Sequence, residues 1–129
     1  ATRGLLPIFL IAPTTTAERL RAVAGLAKGY VYYVSLKGVT GAGHLDTGEV
    51  ARRLAEIRRH VEIPVGVGFG IRDAVSAQAI AAHADAIVIG SRIIVEIETG
   101  TAGDAARRVG TFVATIRRAL DAREAQCVA

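Results

Sequence analysis

Three glycine-rich segments are the parts of this sequence best suited to binding a ligand. They are Gly38-Val39-Thr40-Gly41, Gly68-Phe69-Gly70 and Gly90-Ser91. Glycine lets a backbone approach a ligand closely, and the unpaired amides at the start of a helix attract an anion. Any one of these segments is better explained by a tight turn. Three of them after neighbouring strands, with the Ser91 hydroxyl beside a short helix, predict a phosphate-binding site.

The other polar residues do not indicate a catalytic centre. Tyr32 shares one face of a predicted strand with Tyr30, where it either offers its hydroxyl to a ligand or packs as an ordinary tyrosine. Asp46, Glu49 and Asp73 stand where helices are predicted to begin, so we interpret them as helix-capping residues. The histidines lie on separate connections with no partnering cluster, so no metal site is expected; they are His44, His60 and His83. We recognise no nucleophile, general base or pair of acids.

Short apolar segments alternate with longer segments of helical period along the whole chain. Strands are predicted over 7–11, 30–35, 64–67 and 86–89, each followed by a helix. The first helix is predicted to begin with a capping box at Thr15 and Glu18, and the last to begin near Asp104 with Val109, Val113 and other apolar residues on one stripe. Apolar strands without alternation, each followed by a helix, are typical of a parallel sheet. The four βα units have no linker between them, so residues 1–129 are predicted to form one domain.

Two parallel α/β architectures compete for this pattern. A doubly wound sheet would carry a glycine-rich turn after the first strand, whereas this chain has Ala12-Pro13-Thr14 there. A TIM (β/α)8 barrel has eight strands and about 250 residues, roughly twice what the 129 residues provide. In such barrels the loops after the last two strands and a short extra helix often bind phosphate. The sequence therefore predicts about half of a TIM barrel.

Composition excludes several classes of protein. With 51% hydrophobic and 22% charged residues and a mean hydropathy of +0.37, the chain is not disordered. No apolar segment is long enough to span a membrane. The net charge of +4 comes from arginine pairs interleaved with acids on predicted helices, which indicates solvated faces rather than a nucleic-acid site; they are Arg52-Arg53, Arg58-Arg59, Arg107-Arg108 and Arg117-Arg118. The single Cys127 favours a reducing, cytoplasmic setting. With no Met at all, the chain is expected to be part of something longer.

Four segments carry a resemblance to a known family. They are PIFLIAP at 7–13, YYVSLKGVTG at 32–41, PVGVGFGI at 64–71 and IGSRII at 89–94. Together and in this order they strongly resemble the α subunit of tryptophan synthase. The resemblance implies a TIM barrel, of which this chain would be strands five to eight, the C-terminal half. It also implies a lyase of tryptophan biosynthesis, which cleaves indole-3-glycerol phosphate by a retro-aldol reaction to indole and glyceraldehyde 3-phosphate.

The same resemblance implies roles for individual residues. Gly41 looks like a ligand contact, and Thr40 looks like the loop residue that reaches toward the catalytic acid when the loop closes. Tyr32 looks like the tyrosine beside the indole and the reacting bond, and Leu10 looks like part of the indole pocket. The positions similar to the phosphate-binding residues are Gly68, Phe69, Gly70, Gly90 and Ser91. Both catalytic acids of the family would precede Ala1, so the isolated chain is predicted to be inactive.

The family resemblance also implies a partner protein, and two other hypotheses about function stay open. The family associates with a β subunit that carries pyridoxal phosphate, so no cofactor is expected in this chain. A second hypothesis is a non-catalytic phosphate-binding half-barrel that self-associates, because a cut barrel leaves open strand edges and apolar inner faces. A third is another phosphate-binding barrel enzyme, such as an isomerase or a cyclase of histidine or tryptophan synthesis.

Overall fold

Four short parallel strands form the centre of the fold. The computed structural model describes residues 3–34 and 46–127, with the side chains of 3–34 and 46–122. The strands lie side by side in chain order as one parallel sheet; they are β1 (Phe9–Ile11), β2 (Val31–Tyr33), β3 (Val65–Val67) and β4 (Ala86–Ile87). The four predicted strands are confirmed, although each is shorter than expected. Single hydrogen bonds extend the pairing beyond them, such as Val34 N–H to Ile11 O at 2.9 Å.

A helix follows each strand, as the apolar periodicity predicted. The helices are α1 (Ala17–Leu26), α2 (Thr47–Arg58), α3 (Ala74–Ala81), α4 (Ser91–Glu98) and α5 (Ala105–Cys127), and a 3-10 turn, Ala102–Asp104, precedes α5. α4 and α5 both follow β4, so the chain has four βα units and one additional helix. Consecutive parallel strands joined by helices are the repeating unit of a TIM barrel, and four such units make half of one.

The core lies between one face of the sheet and the helices. Alternate strand residues point into it, and they meet apolar residues of α1, α2, α3 and α5; the largest fully buried side chains are Ile11, Leu20, Leu54, Ile57, Ile80, Val31, Val65 and Val67. The other strand residues form a row in register across the opposite face: Leu10, Tyr32, Gly66 and Ala86. We call this second face the open face. In a closed barrel it would point inward. Val113 does not join the apolar stripe predicted for α5, because it is exposed.

The helix caps confirm two predictions and correct one. Asp46 caps α2, since its Oδ1 accepts the N–H of Glu49 at 2.9 Å. α1 is capped by Thr16, not by the predicted Thr15. The Thr15 hydroxyl instead accepts the N–H of Ala12 at 3.0 Å, within the turn that leaves β1. The predicted capping box of Thr15 and Glu18 therefore does not form, because Thr15 is used by the turn and the residue three positions after Thr16 is Arg19, not a glutamate.

Asp73 caps α3 reciprocally with Ser76 and gives a pH-dependent contribution to stability. Hydrogen bonds from the Ser76 hydroxyl and N–H lower the pKa of Asp73 below its usual 3.8. Because the folded pKa lies below the unfolded one, the stabilisation is complete above the unfolded value and is lost as pH falls through the folded value. We expect Asp73→Ala to cost about 1 kcal/mol at pH 7. Urea unfolding at several pH values measures this.

The matched variant for this test is Asp73→Asn. Asparagine caps helices about as well as aspartate, but it cannot titrate. Asp73→Asn should unfold near the wild-type urea midpoint at pH 7 and should lose less stability than the wild type when the pH falls from 5 to 2. Equal acid sensitivity of the two proteins would contradict the role given to this carboxylate.

Two of the arginines predicted on solvated faces are partly buried instead. The side chains of Arg53 and Arg108 are only 13% and 14% exposed. Arg108 donates to the carbonyl oxygens of Glu96 at 2.9 Å and Ile97 at 3.1 Å, and it forms an ion pair with Asp104. It therefore satisfies the last carbonyl groups of α4, where a positive charge also suits the helix dipole. The exposed partner in each pair keeps the solvated position that was predicted.

Candidate functional site

The register of the sheet brings two of the glycine-rich segments to the same edge. Val67 pairs with Ile87, and the Val88 N–H donates to the Val67 carbonyl at 2.8 Å. Neighbouring strands lie about 4.8 Å apart, so the segments 68–70 and 88–91 leave the sheet side by side. Two of the three segments predicted to lie together are therefore neighbours at this edge, and the third, 38–41, lies outside the described residues.

The N-terminus of α4 lies at this edge with its amides uncapped by any side chain. α4 begins at Ser91, one residue earlier than predicted, and Gly90 is its N-cap residue without a side-chain cap. The first amides of a helix have no partner within the helix, and together with the helix dipole they favour an anion. A Cβ on Gly90 would meet nothing within 4 Å. The site could therefore accept a phosphate group from this side.

Gly68 has a different role from the one its type suggested. Its N–H donates to the Tyr33 carbonyl at 3.3 Å, so this amide belongs to the sheet and is not offered to a ligand. The ladder between β2 and β3 therefore continues one residue beyond the strands. The ring of Tyr32 lies over Gly68, and its hydroxyl donates to the Gly68 carbonyl at 3.3 Å. A Cβ on Gly68 would overlap this ring and hydroxyl.

The other residues after β3 divide between the core and the edge. Phe69 turns its ring edge-on to Tyr33, with centroids 5.4 Å apart at 82°, so this side chain packs with the core. Gly70 has a φ of +68°, in the region that favours glycine.

The remaining predicted site residues lie on other parts of the chain. Leu10 is 64% exposed on the open face, in register with Tyr32. Thr40 and Gly41 lie outside the described residues.

Arg53 is a structural residue that sequence reasoning missed. Its Nη2 donates to the carbonyls of Thr15 at 2.6 Å and Ala12 at 3.3 Å, and its Nη1 pairs with Glu56 at 2.5 Å. It therefore fastens α2 to the turn after β1. Burial raises the pKa of Tyr33 above its usual 10.0, and the charge of Arg53 partly opposes this rise. The spacing did contain a signal, because position 53 lies on the helical stripe of Val50, Leu54 and Ile57.

A cavity of about 240 Å³ lies beside this arginine, near the carboxyl ends of β1 and β2; its lining residues are Pro13, Tyr33, Glu49, Arg52, Arg53 and Glu56. Arg53 Nε is buried there without a hydrogen-bond partner among the described residues.

Over the parts of the chain that the structure describes, no three His, Cys, Asp or Glu residues are grouped as a metal site requires. None of the described helices is long and apolar enough to cross a membrane.

Comparison with known proteins agrees with this geometry. The profile of the family described as "Tryptophan synthase alpha chain" matches residues 1–122. The alpha chain of Methylibium petroleiphilum is 63% identical over 89% of this chain and 42% of its own length. The alpha chain of Bordetella pertussis is 60% identical over 94% of this chain and 45% of its own length. This chain therefore spans less than half the length of these relatives.

Solved structures give the same assignment. The tryptophan synthase subunit alpha of Legionella pneumophila superposes with a TM-score of 0.81 and 32% identity, over 93% of this chain and 44% of that one. A chain of tryptophan synthase from M. tuberculosis gives a TM-score of 0.73 with 28% identity, over 90% of this chain and 41% of that one. These matches decide against the alternative of a different phosphate-binding barrel. The chain belongs to the tryptophan synthase alpha chain family, and its fold corresponds to about half of that family's TIM barrel.

Proposed function

We propose that residues 1–129 form the phosphate-binding half of a tryptophan synthase alpha barrel. The observation that carries this proposal is the juxtaposition of the segment 68–70 with the uncapped N-terminus of α4. The phosphate would be held by backbone amides of Gly70 and of the first turn of α4, with the Ser91 hydroxyl as a further donor. Phe69 and Gly90 would contribute through their backbone, and Gly68 would make room for Tyr32.

The proposed substrate is indole-3-glycerol phosphate, cleaved to indole and glyceraldehyde 3-phosphate in tryptophan biosynthesis. Tyr32 and Leu10 lie on the open face, where they would line the indole side of the ligand. Thr40 and Gly41 are proposed as ligand-side residues of the loop that follows β2. The two catalytic acids belong to the half of the barrel that this chain does not supply, so the 129-residue chain alone is proposed to bind phosphate without turnover.

The remaining assignments extend the same proposal. A β subunit carrying pyridoxal phosphate would receive the indole, so the alpha chain would need no cofactor or metal of its own. A biosynthetic enzyme with this substrate would work in the cytoplasm. A second candidate function is self-association of the half-barrel, which is favoured by the exposure of Leu10 and other apolar side chains on the open face.

Phosphate binding is tested by titrating the 129-residue chain with glycerol 3-phosphate. Amide NMR shifts are expected at Gly70 and at Ser91 to Ile93, and Ser91→Asp should weaken binding at least tenfold because a carboxylate would compete for the same amides. Thr111→Asp, on the exposed face of α5, is the matched control and should bind normally. Turnover of indole-3-glycerol phosphate should be undetectable. Equal binding of glycerol 3-phosphate by both variants would overturn the proposed phosphate site. Turnover near that of a complete enzyme would overturn the proposal that the catalytic acids lie outside these 129 residues.

A further inference from the structure

The helix that carries the proposed anion site is not held by a buried side chain of its own. α4 has eight residues, Ser91–Glu98, and none of them is buried. An isolated helix of this length is marginal in water, so contacts with the rest of the protein must keep α4 formed and set its direction. Within the part of the chain that the structure describes, α5 packs along α4.

One side chain of α5 reaches the C-terminal end of α4. The Arg108 guanidinium donates from Nε to the Glu96 carbonyl at 2.9 Å and from Nη2 to the Ile97 carbonyl at 3.1 Å. Its Nη1 donates to the Thr101 carbonyl at 3.3 Å, just beyond the helix, and pairs with Asp104. The last carbonyl groups of a helix have no partner within the helix, so this guanidinium supplies partners for two of them.

The turn that follows α4 is shaped around this guanidinium. Gly100 has a φ of +92°, in the region that favours glycine. A Cβ placed there would lie 2.7 Å from Arg108 Nη1 and 3.1 Å from Arg108 Cζ. A larger residue at position 100 would therefore strain the backbone and push the guanidinium away from its carbonyl partners. By contrast, a Cβ on Gly103 would meet nothing within 4 Å.

α5 is itself fixed to the core, so it can act as a rigid support for α4. Ile116 of α5 is buried in the core, and the Gln78 side chain of α3 donates to the Ala119 carbonyl at 2.8 Å. Nearer the start of α4, the Arg92 guanidinium lies 5.5 Å from the centroid of the Phe112 ring, a distance typical of a cation–π contact. α4 is therefore attached to α5 near both of its ends.

We propose that Arg108 is a positioning residue for anion binding at the N-terminus of α4. It does not touch the ligand, because the eight residues of α4 separate it from the first amides by about 12 Å. A phosphate needs these amides and that of Gly70 to converge on one point. The apparent dissociation constant rises as the fraction of molecules with α4 correctly placed falls. This role rests on the proposed phosphate site, and the contacts behind it lie within residues 78–119.

Titration with glycerol 3-phosphate, followed by the amide signal of Ser91, compares two neighbouring arginines. Arg108→Met removes the donors, so it should raise the dissociation constant roughly tenfold or more. Arg107→Met is the matched control and should bind as the wild type does, since the Arg107 side chain is 73% exposed. Gly100→Ala should weaken binding in the same direction as Arg108→Met, whereas Gly103→Ala should not.

Amide exchange separates the positioning of α4 from general support of the fold. Without ligand, α4 should exchange faster in Arg108→Met than in the wild type, while α3 exchanges at the wild-type rate. Saturating glycerol 3-phosphate should restore the protection of α4, because the ligand selects the molecules in which α4 is correctly placed. Faster exchange in both α3 and α4, with no recovery when the ligand is added, would show a merely structural role and overturn the proposal.

The same titrations separate failure of the positioning role from failure of the phosphate site. Equal dissociation constants for Arg108→Met and Arg107→Met, when the wild type binds glycerol 3-phosphate, would overturn the positioning role alone. A wild type without a shift at Ser91 would overturn the phosphate site and the positioning role with it. Should Arg108→Met fail to fold, the comparison of Gly100→Ala with Gly103→Ala decides in the same way.

Discussion

Replacing Gly68 with alanine is expected to displace the Tyr32 ring and to destabilise the fold by about 1–3 kcal/mol, the usual cost of inserting a methyl group where no space exists. The methyl group would occupy the position of the ring and its hydroxyl. The hydrogen bond from Tyr32 to the Gly68 carbonyl would be lost at the same time. Phosphate affinity should also fall, because the backbone after β3 would shift. Urea unfolding and titration with glycerol 3-phosphate measure the two effects.

A double-mutant cycle identifies the cause of this loss. If the ring is the obstacle, then Tyr32→Ala should restore stability in the Gly68→Ala background while costing stability in the wild type. Interaction energies between contacting residues are typically about 0.5–3 kcal/mol. Gly90→Ala is the matched control, because a methyl group there enters open space. Additive effects of the Gly68 and Tyr32 substitutions would refute the steric explanation.

Replacing Arg53 with methionine is expected to cost about 2–3 kcal/mol, since two partly buried carbonyl groups would lose a charged donor. These carbonyls belong to Ala12 and Thr15 in the turn after β1, so amide exchange should increase in that turn more than in α3. The same substitution should raise the pKa of Tyr33 further, because the positive charge that opposes the effect of burial would be gone. Urea unfolding, amide exchange and ultraviolet titration of the tyrosines measure these three effects.

The neighbouring arginine provides the control for this prediction. Arg52 is exposed on α2, so Arg52→Met should change stability by less than about 0.5 kcal/mol. Arg53→Lys should recover only part of the loss, because an ammonium group lacks the fork geometry that reaches several acceptors at once. A loss of equal size for Arg52→Met and Arg53→Met would show that general charge, and not the bridge to the turn, is responsible.

Local sequence patterns were enough to predict the strands and helices of this fold. Apolar periodicity located all four strands and the helices after them, and the Asp46 and Asp73 caps follow from spacing alone. Patterns failed where a residue's partner is distant in sequence. Tyr32 and Gly68 are 36 positions apart, and Arg53 bonds to a carbonyl 38 positions away. Such contacts depend on how the strands align, so the sequence pattern did not reveal the packing of Tyr32 on Gly68, and Arg53 was interpreted as a solvated charge.

The Arg108 guanidinium has a consequence for the opposite end of α4. It holds the terminal turn through the carbonyls of Glu96 and Ile97, while the chain reverses just beyond at Gly100 with a φ of +92°. Arg108 therefore holds the C-terminal end of α4 in place, whereas no side chain caps its N-terminal end. Because α4 is already held in place, an anion that binds at its N-terminus would lose little binding free energy to ordering the helix.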